Sequence, residues 1–107
     1  MSKKLSFKKE YGRAIILGRK TTTVRLHTDL KKGDIVNVKV GNIHVGKALI
    51  ENVTTKKVRD LTDTDAMNDG FKDREEMINR LKKIYGERVT EGTEIKLIRF
   101  KLLDAEY

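Results

Sequence analysis

The chain has 107 residues with no cysteine and no proline, and its 24 basic against 16 acidic side chains give a net charge of +8. This length fits a single domain spanning residues 1–107, with enough buried surface for one core. Without cysteine, disulfides and thiolate chemistry are excluded, and a reducing compartment such as the cytoplasm is expected. No apolar run approaches the roughly 20 residues of a membrane span, and "MSKKLSFKKE" lacks a signal-peptide core.

The positive charge is concentrated in the first part of the chain. Residues 1–59 hold 15 basic and 4 acidic groups, a net of +11, whereas residues 60–107 hold 9 basic and 12 acidic groups, a net of −3. A cationic surface attracts polyanions through steering and counterion release. The composition therefore favours a nucleic acid or nucleotide as partner, although lysine-rich surfaces also serve solubility alone.

The first predicted elements meet near Gly18. The segment "EYGRAIILG" predicts a short helix with an apolar face, and Gly18 suits its C-terminal cap. The segment "TTTVRL" then predicts a strand, in which Thr23 and Arg25 lie on the opposite side from Val24. Strict alternation would also separate Lys20 from Thr23, so the two meet only if Lys20 precedes the regular strand.

The next segment, "GDIVNVKVGNIHVGKALIENVTTKKV", predicts two strands joined at Gly41-Asn42. Its alternating valines predict one buried face, and Gly46 marks a bend or bulge of the kind that small barrels use. The last predicted strand, "EIKLIRFKLLD", shows the same period of two.

Two helices are predicted between these strands. Thr62 caps the first, which Asn68-Asp69-Gly70 ends. Asp73 caps the second, with Glu76 reaching back in a capping box. Its predicted buried stripe consists of Met77, Ile78, Leu81, Ile84 and Tyr85. Strands on both sides of a helical insert predict an α+β domain: a small mixed or antiparallel β-barrel with two to three helices packed alongside.

Several motifs together resemble one family. "AIILGRKTTTVR", "LKKGDIV", "VGKALIENVTTKKVRDLTDTDAMNDGF" and the terminal "IKLIRFK" occur in the order of the ASCH domain, a member of the PUA-like group of small β-barrels. The resemblance runs from about Phe7 to Lys101. It implies a cleft between barrel and helices, lined by the Lys-Thr-x-Thr-x-Arg strand.

The same resemblance implies two kinds of activity. In bacterial relatives a lysine, a threonine and an acidic residue hydrolyse the acetyl amide of N4-acetylcytidine, and Lys20 and Thr23 match the first two. The nearest acid is Asp69, one methylene shorter than the glutamate of that subgroup, with Asp65 and Glu75 as neighbouring alternatives. Other members are proposed to bind RNA, and some are reported to cut it.

The chemistry sets its own requirements. A threonine hydroxyl needs an adjacent base to act as a nucleophile, and a lysine serves as that base only when burial or a like charge lowers its pKa. Arg13, Arg19 and Arg25 are candidates for the like charge. A carboxylate would then protonate the departing amine or position a water molecule. The catalytic residues that the family resemblance implies are Lys20, Thr23 and Asp69.

The candidate nucleic-acid contacts come from the junction and from two lysines on neighbouring strands. They are Arg19, Lys20, Thr21, Thr23, Arg25, Lys39 and Lys47. His27 and His44 have no third ligand in a metal-binding pattern, so no metal and no other cofactor is expected.

Each candidate also has a purely structural interpretation. Lys20 could be a solvated loop cation, and the threonine run could reflect β propensity alone. Asp69 lies where turn residues are common, and Arg25 could pair with Asp29 or Asp34.

Three functions therefore stay open. The first is a monomeric domain that binds RNA or a nucleotide or nucleoside in a cationic cleft around Lys20, Thr23 and Arg25. The second is an amidohydrolase for N4-acetylcytidine-type substrates, with a ribonuclease as a weaker variant of this class. The third is a protein-interaction module whose basic face docks an acidic partner.

Overall fold

A computed structural model describes residues 3–105 of the chain, and side chains within residues 3–103. Five strands form one sheet: β1 (Lys3–Phe7), β2 (Thr22–Arg25), β3 (Ile35–Val40), β4 (Ile43–Lys57) and β5 (Glu94–Ala105). Three α-helices accompany it: α1 (Gly12–Ile16), α2 (Asp63–Asn68) and α3 (Arg74–Tyr85). Within residues 3–105, none of the helices has the length and apolar character needed to cross a membrane.

The sheet has the order β1-β3-β4-β5-β2 and curls into a half-barrel. β1 pairs with β3 in parallel, and the other three pairings are antiparallel. The predicted α+β fold with a mixed barrel-like sheet and helices alongside is confirmed. β1 and β2 are the two edge strands of the sheet, and the curl of the sheet brings them towards one another.

The central hairpin has the predicted turn and bend. Val40 pairs with Ile43 across a two-residue turn in which Gly41 has a φ of 59°. Gly46 has a φ of 141°, and the β3–β4 register shifts beside it. Glycine tolerates these positive φ values without the steric cost that a Cβ would add. The register shift increases the local bend of the sheet. The bend allows the long strands β4 and β5 to run through both halves of the molecule.

Two apolar clusters hold the molecule together. One fills the concave face of the half-barrel, around Val38, Ile50 and Phe100, and includes Ile15 of α1. The other joins α2 and α3 to β2 and β5, around Met77 and Ile95. Ile95 and Leu97 of β5 belong to the helical cluster and Ile98 and Phe100 to the half-barrel cluster, so the two faces of this strand meet different clusters.

The structure differs from the predicted elements at three places. Residues 3–7, for which the sequence pattern predicted no element, form β1. The predicted capping box of α3 is half present: Asp73 accepts from the Glu76 N–H, but the Glu76 carboxylate accepts from the Lys72 N–H instead. Ile84 is 45% exposed and was wrongly placed in the buried stripe, because it lies beside a cavity rather than against the core.

Candidate functional site

A cavity of about 140 Å³ opens between the two sheet edges and α3. We call it the cleft. It is lined by Ser6, Phe7, Lys8, Tyr11, Lys20, Thr23, Val24, Arg25, Asp69, Phe71, Arg80, Leu81, Ile84 and Tyr85. An apolar cavity of about 150 Å³ takes up one benzene ring. The cleft therefore matches one aromatic ring in size and is too small to enclose several nucleotides.

The end of α1 places Lys20 at the cleft. Gly18 has a φ of 75°, its N–H donates to the Ile15 carbonyl, and the Arg19 N–H donates to the Ala14 carbonyl. These two bonds make the Schellman motif that terminates helices. The Lys20 N–H also donates to Ala14, and β2 begins only at Thr22. Lys20 thus precedes the regular strand, and both Lys20 and Thr23 line the cleft.

The end of α2 places Asp69 beside it. Thr62 and Asp65 form a capping box that starts α2, and Asp69 is the residue after its last turn. The helix end is tied to the junction by the Thr21 N–H, which donates to the Asn68 carbonyl at 2.7 Å. The C-terminus of α1 and the C-terminus of α2 therefore meet at one point, where Lys20 and Asp69 face each other.

Lys20 and Asp69 form a buried ion pair. Each is only 4% exposed, and the Lys20 Nζ contacts the Asp69 carboxylate and donates to the Asp69 carbonyl at 2.9 Å. Gly70 has a φ of 91°, and a Cβ there would lie 3.6 Å from the Lys20 side chain. The "DG" pair, which the sequence pattern predicted to be a turn, thus also supplies a buried acid.

Three aromatic rings surround the same ammonium. The Lys20 Nζ lies 5.0 Å from the ring centre of Tyr11, 5.8 Å from Phe7 and 6.0 Å from Phe71. Cations within about 6 Å of a ring face are attracted by its quadrupole. The rings help to bury the ion pair and provide apolar walls to the cleft.

The surroundings lower the pKa of Lys20. Burial is the main cause and the positive charge of Arg25 the second, and together they bring the pKa of this lysine to about 7. The Asp69 carboxylate acts in the opposite direction, because it stabilises the ammonium. Removal of this carboxylate would therefore lower the pKa of Lys20 further.

Arg25 links the two edges of the half-barrel. Its Nη2 donates to the Ser6 carbonyl on β1 at 2.8 Å, and its guanidinium lies 5.5 Å from the Phe7 ring centre. The alternative pairing of Arg25 with Asp29 or Asp34 is not seen: Asp34 contacts Lys3 at 2.9 Å. Arg25 thus connects β2 to β1 and contributes a positive charge to the cleft that it lines.

The neighbouring threonines of β2 have different surroundings. Thr23 is 3% exposed and lines the cleft together with Lys20 and Asp69. Thr22 is equally buried, and its hydroxyl has no hydrogen-bond partner within the described part of the chain. The two adjacent residues thus provide one hydroxyl at the cleft and one away from it.

The other predicted contacts lie outside the cleft. Arg19 is exposed, and Thr21 is bonded to Asn68. Lys39 is half-buried on β3 and Lys47 is exposed on β4, and neither lines the cleft.

The alternative acids are also elsewhere. Asp65 is bonded to Lys56 at 2.6 Å and to the Thr62 N–H, which together lower its pKa against the opposing effect of burial. Glu75 is exposed on α3 and does not line the cleft. Asp69 is therefore the carboxylate that the structure brings to Lys20.

Sequence reasoning missed the contribution of α3 to the site. Arg80 and Ile84 line the cleft, as do Leu81 and Tyr85, and each pair is spaced four residues apart on one helical face. The spacing was visible in the sequence, but nothing local indicates which part of the sheet that face meets.

A curled α+β half-barrel with a buried lysine–aspartate pair at the base of a one-ring cleft defines a small PUA-like domain. The family model for the ASCH domain matches residues 2–104, and the chain belongs to this family. A comparison with curated proteins found no match.

Solved structures share this fold at low sequence identity. Protein EF3133 from Enterococcus faecalis V583 superposes with a TM-score of 0.76 at 16% identity, covering 99% of this chain and 84% of that one. The ASCH domain from Lactobacillus crispatus JV V101 gives 0.67 at 18% identity, covering 92% and 80%. A mutant of ZmASCH from Zymomonas mobilis gives 0.64 at 16% identity, covering 94% and 69%. These likenesses establish the fold alone.

Proposed function

We propose that the protein binds RNA or a nucleotide by holding one base in the cleft. The observation that carries this proposal is the combination, around about 140 Å³, of aromatic walls with the cations Lys20 and Arg25. Bases stack on aromatic side chains, and cations offset the charge of the attached phosphate. The net charge of +11 over residues 1–59 attracts such a ligand from a distance.

The size of the cleft limits how the ligand is held. One base fits, so any further nucleotides of a strand must lie on the surface outside. We therefore expect contacts to a single base and to the phosphates next to it, without readout of a long sequence. This mode resembles the capture of unstacked bases from single-stranded RNA.

An NMR titration with a short single-stranded RNA tests the binding. The backbone signals of Tyr11, Thr23 and Arg25 should shift together, and the affinity should fall as salt is raised. Signals of Lys39 and Lys47, outside the cleft, serve as internal controls. Shifts that avoid the cleft residues, or no binding at low salt, would reject the proposal.

A second candidate is hydrolysis of an acyl amide on the bound base, as in N4-acetylcytidine. The specific observation that favours it is the contact of Lys20 with Asp69 in the cavity that Thr23 also lines. Transfer of one proton within this pair converts ammonium and carboxylate into amine and carboxylic acid. The pair would then hold a base and an acid at once, without exchange with solvent.

The proposed reaction has two steps. The Lys20 amine takes the proton of the Thr23 hydroxyl as the oxygen attacks the acyl carbon, and the C–N bond breaks as Asp69 protonates the departing amine. Water then attacks the acyl-threonine ester and gives one proton to the Asp69 carboxylate, the ester bond breaks, and Thr23 regains a proton from Lys20. The products are the amine and a carboxylic acid, so one water is consumed for each amide cleaved.

Valine substitutions at the adjacent threonines test this activity. Thr23→Val should reduce acetate release from N4-acetylcytidine by at least about 100-fold, the usual scale for losing such a catalytic group. Thr22→Val makes the same substitution at the neighbouring residue, whose hydroxyl has no hydrogen-bond partner within the described part of the chain. Its rate of acetate release should stay within a few-fold of that of the unsubstituted protein. Absence of acetate release by the unsubstituted protein would eliminate the hydrolase and leave binding unaffected.

A further inference from the structure

A cationic depression adjoins the mouth of the cleft. We call it the cationic shelf, and it is lined by Lys8, Lys9, Glu10, Arg80 and Lys83. Four of these five side chains are cations and one is a carboxylate, which leaves a net charge of +3. Lys8 and Arg80 line both the shelf and the cleft, so the two surfaces are continuous.

Arg80 stands at the boundary between shelf and cleft. Its Nη1 lies 3.2 Å from the Glu10 carboxylate, and its guanidinium lies 5.7 Å from the ring centre of Tyr11. The same Tyr11 ring faces Lys20 on the cleft side. A ligand ring stacked in the cleft would therefore have its substituents within reach of Arg80.

We propose that the cationic shelf binds a phosphate group attached to the nucleoside in the cleft. The ligand is then a nucleotide or a nucleic-acid strand rather than a free nucleoside. The inference rests on the proposed function, since it takes the base to occupy the cleft. Guanidinium groups bind phosphate oxygens through paired N–H donors, and nearby lysines add positive charge without demanding one geometry.

The position of Lys83 admits a competing explanation. Lys82 and Lys83 both lie in the last turn of α3, where cations offset the helix dipole. Both side chains are exposed, but only Lys83 is among the residues that line the shelf. The two lysines therefore separate phosphate binding from helix stabilisation.

Paired ligands test the inference on the full chain. Affinities of cytidine, uridine, adenosine and guanosine are compared by calorimetry with those of their 5′- and 3′-monophosphates, at low and at physiological salt. At least one monophosphate should bind about tenfold or more tightly than its nucleoside, since charge-assisted bonds to phosphate are strong. This gain should shrink as salt rises, whereas nucleoside binding should hardly change.

Three variants locate the effect. Lys83→Gln should reduce the gain from the phosphate several-fold, and Lys82→Gln should leave it as in the unsubstituted protein. Glu10→Gln should increase the gain, because it frees Arg80 and removes the negative charge on the shelf.

The outcomes distinguish the two proposals. Equal affinity for nucleosides and monophosphates would contradict phosphate binding on the shelf and would leave the proposal of base binding in the cleft unaffected. A different result would be that inorganic phosphate perturbs the shelf residues while no nucleoside binds at any concentration. That result would contradict the proposal that a base binds in the cleft. Equal effects of Lys82→Gln and Lys83→Gln on the gain from the phosphate would assign that gain to the general positive charge of this surface and overturn the shelf.

Discussion

The buried pair of Lys20 and Asp69 is the residue-scale feature on which the site depends. Removing two charges from water is costly, and the attraction between them offsets this cost only with good geometry and further hydrogen bonds. Here the Asp69 carbonyl and three aromatic rings supply additional contacts to the ammonium. A buried pair of this kind is therefore weak evidence of a role in stability.

Replacing Asp69 by asparagine should shift the titration of Lys20 to lower pH, which the pH dependence of stability can reveal. Unfolded lysine has a pKa of about 10.4, whereas burial and Arg25 lower the pKa of Lys20 to about 7. Between these values the unfolded chain binds more protons, so the free energy of unfolding rises with pH. Without the carboxylate the pKa of Lys20 falls further, so urea unfolding of Asp69→Asn should show this rise beginning at a lower pH than in the unsubstituted protein, with a slope of at most about 1.4 kcal/mol per pH unit.

The same variant should be most destabilised at pH 7 and below, by about 3–5 kcal/mol, because a buried ammonium then lacks its carboxylate. Asp60→Asn, at an exposed position, makes the same change in charge and should parallel the unsubstituted protein. Parallel pH profiles for all three proteins would show that the Asp69 carboxylate does not affect the pKa of Lys20.

At the scale of elements, local signals predicted the junction and tertiary packing determined the rest. Gly18 and the strand period were enough to expect Lys20 in the turn before β2. Asp69 was expected to be the acid of the site only because of the family resemblance. An aspartate before a glycine is otherwise typical of a turn. The approach of α3 was not predictable, because periodicity shows which residues share a face but not which surface that face meets.

The link between the sheet edges gives a prediction at this scale. Arg25→Met removes the bond to the Ser6 carbonyl and the contact with Phe7, and should lower the free energy of unfolding by about 1–3 kcal/mol. Amide exchange in β1 should accelerate more than in β5, which keeps both its neighbours. Arg99→Met, at an exposed residue 3.7 Å from Glu51, should change stability by less than about 0.5 kcal/mol. Uniform acceleration across the sheet would show that Arg25 does not hold β1.

At the scale of the whole molecule, the distribution of charge along the sequence differs from the distribution of charge on the folded surface. Residues 60–107 carry a net charge of −3, yet Arg80 and Lys83 from that part join Lys8 and Lys9 on the cationic shelf. Folding thus gathers cations from both parts beside the cleft. Lys39 and Lys47, from the basic part, remain on strands away from both surfaces.

This arrangement predicts different kinetic roles for two pairs of lysines. Substituting Lys39 and Lys47 by glutamine, or Lys9 and Lys83 by glutamine, removes two charges in each case. The first double variant should slow association with a short RNA by less than about threefold and leave dissociation unchanged, since distant charges act through steering. The second should speed dissociation several-fold and reduce the slope of log affinity against log salt by about 0.7 for each phosphate that the shelf no longer binds. Rates from surface plasmon resonance distinguish them, and equal dissociation rates for the two variants would mean that net charge, not the shelf, governs binding.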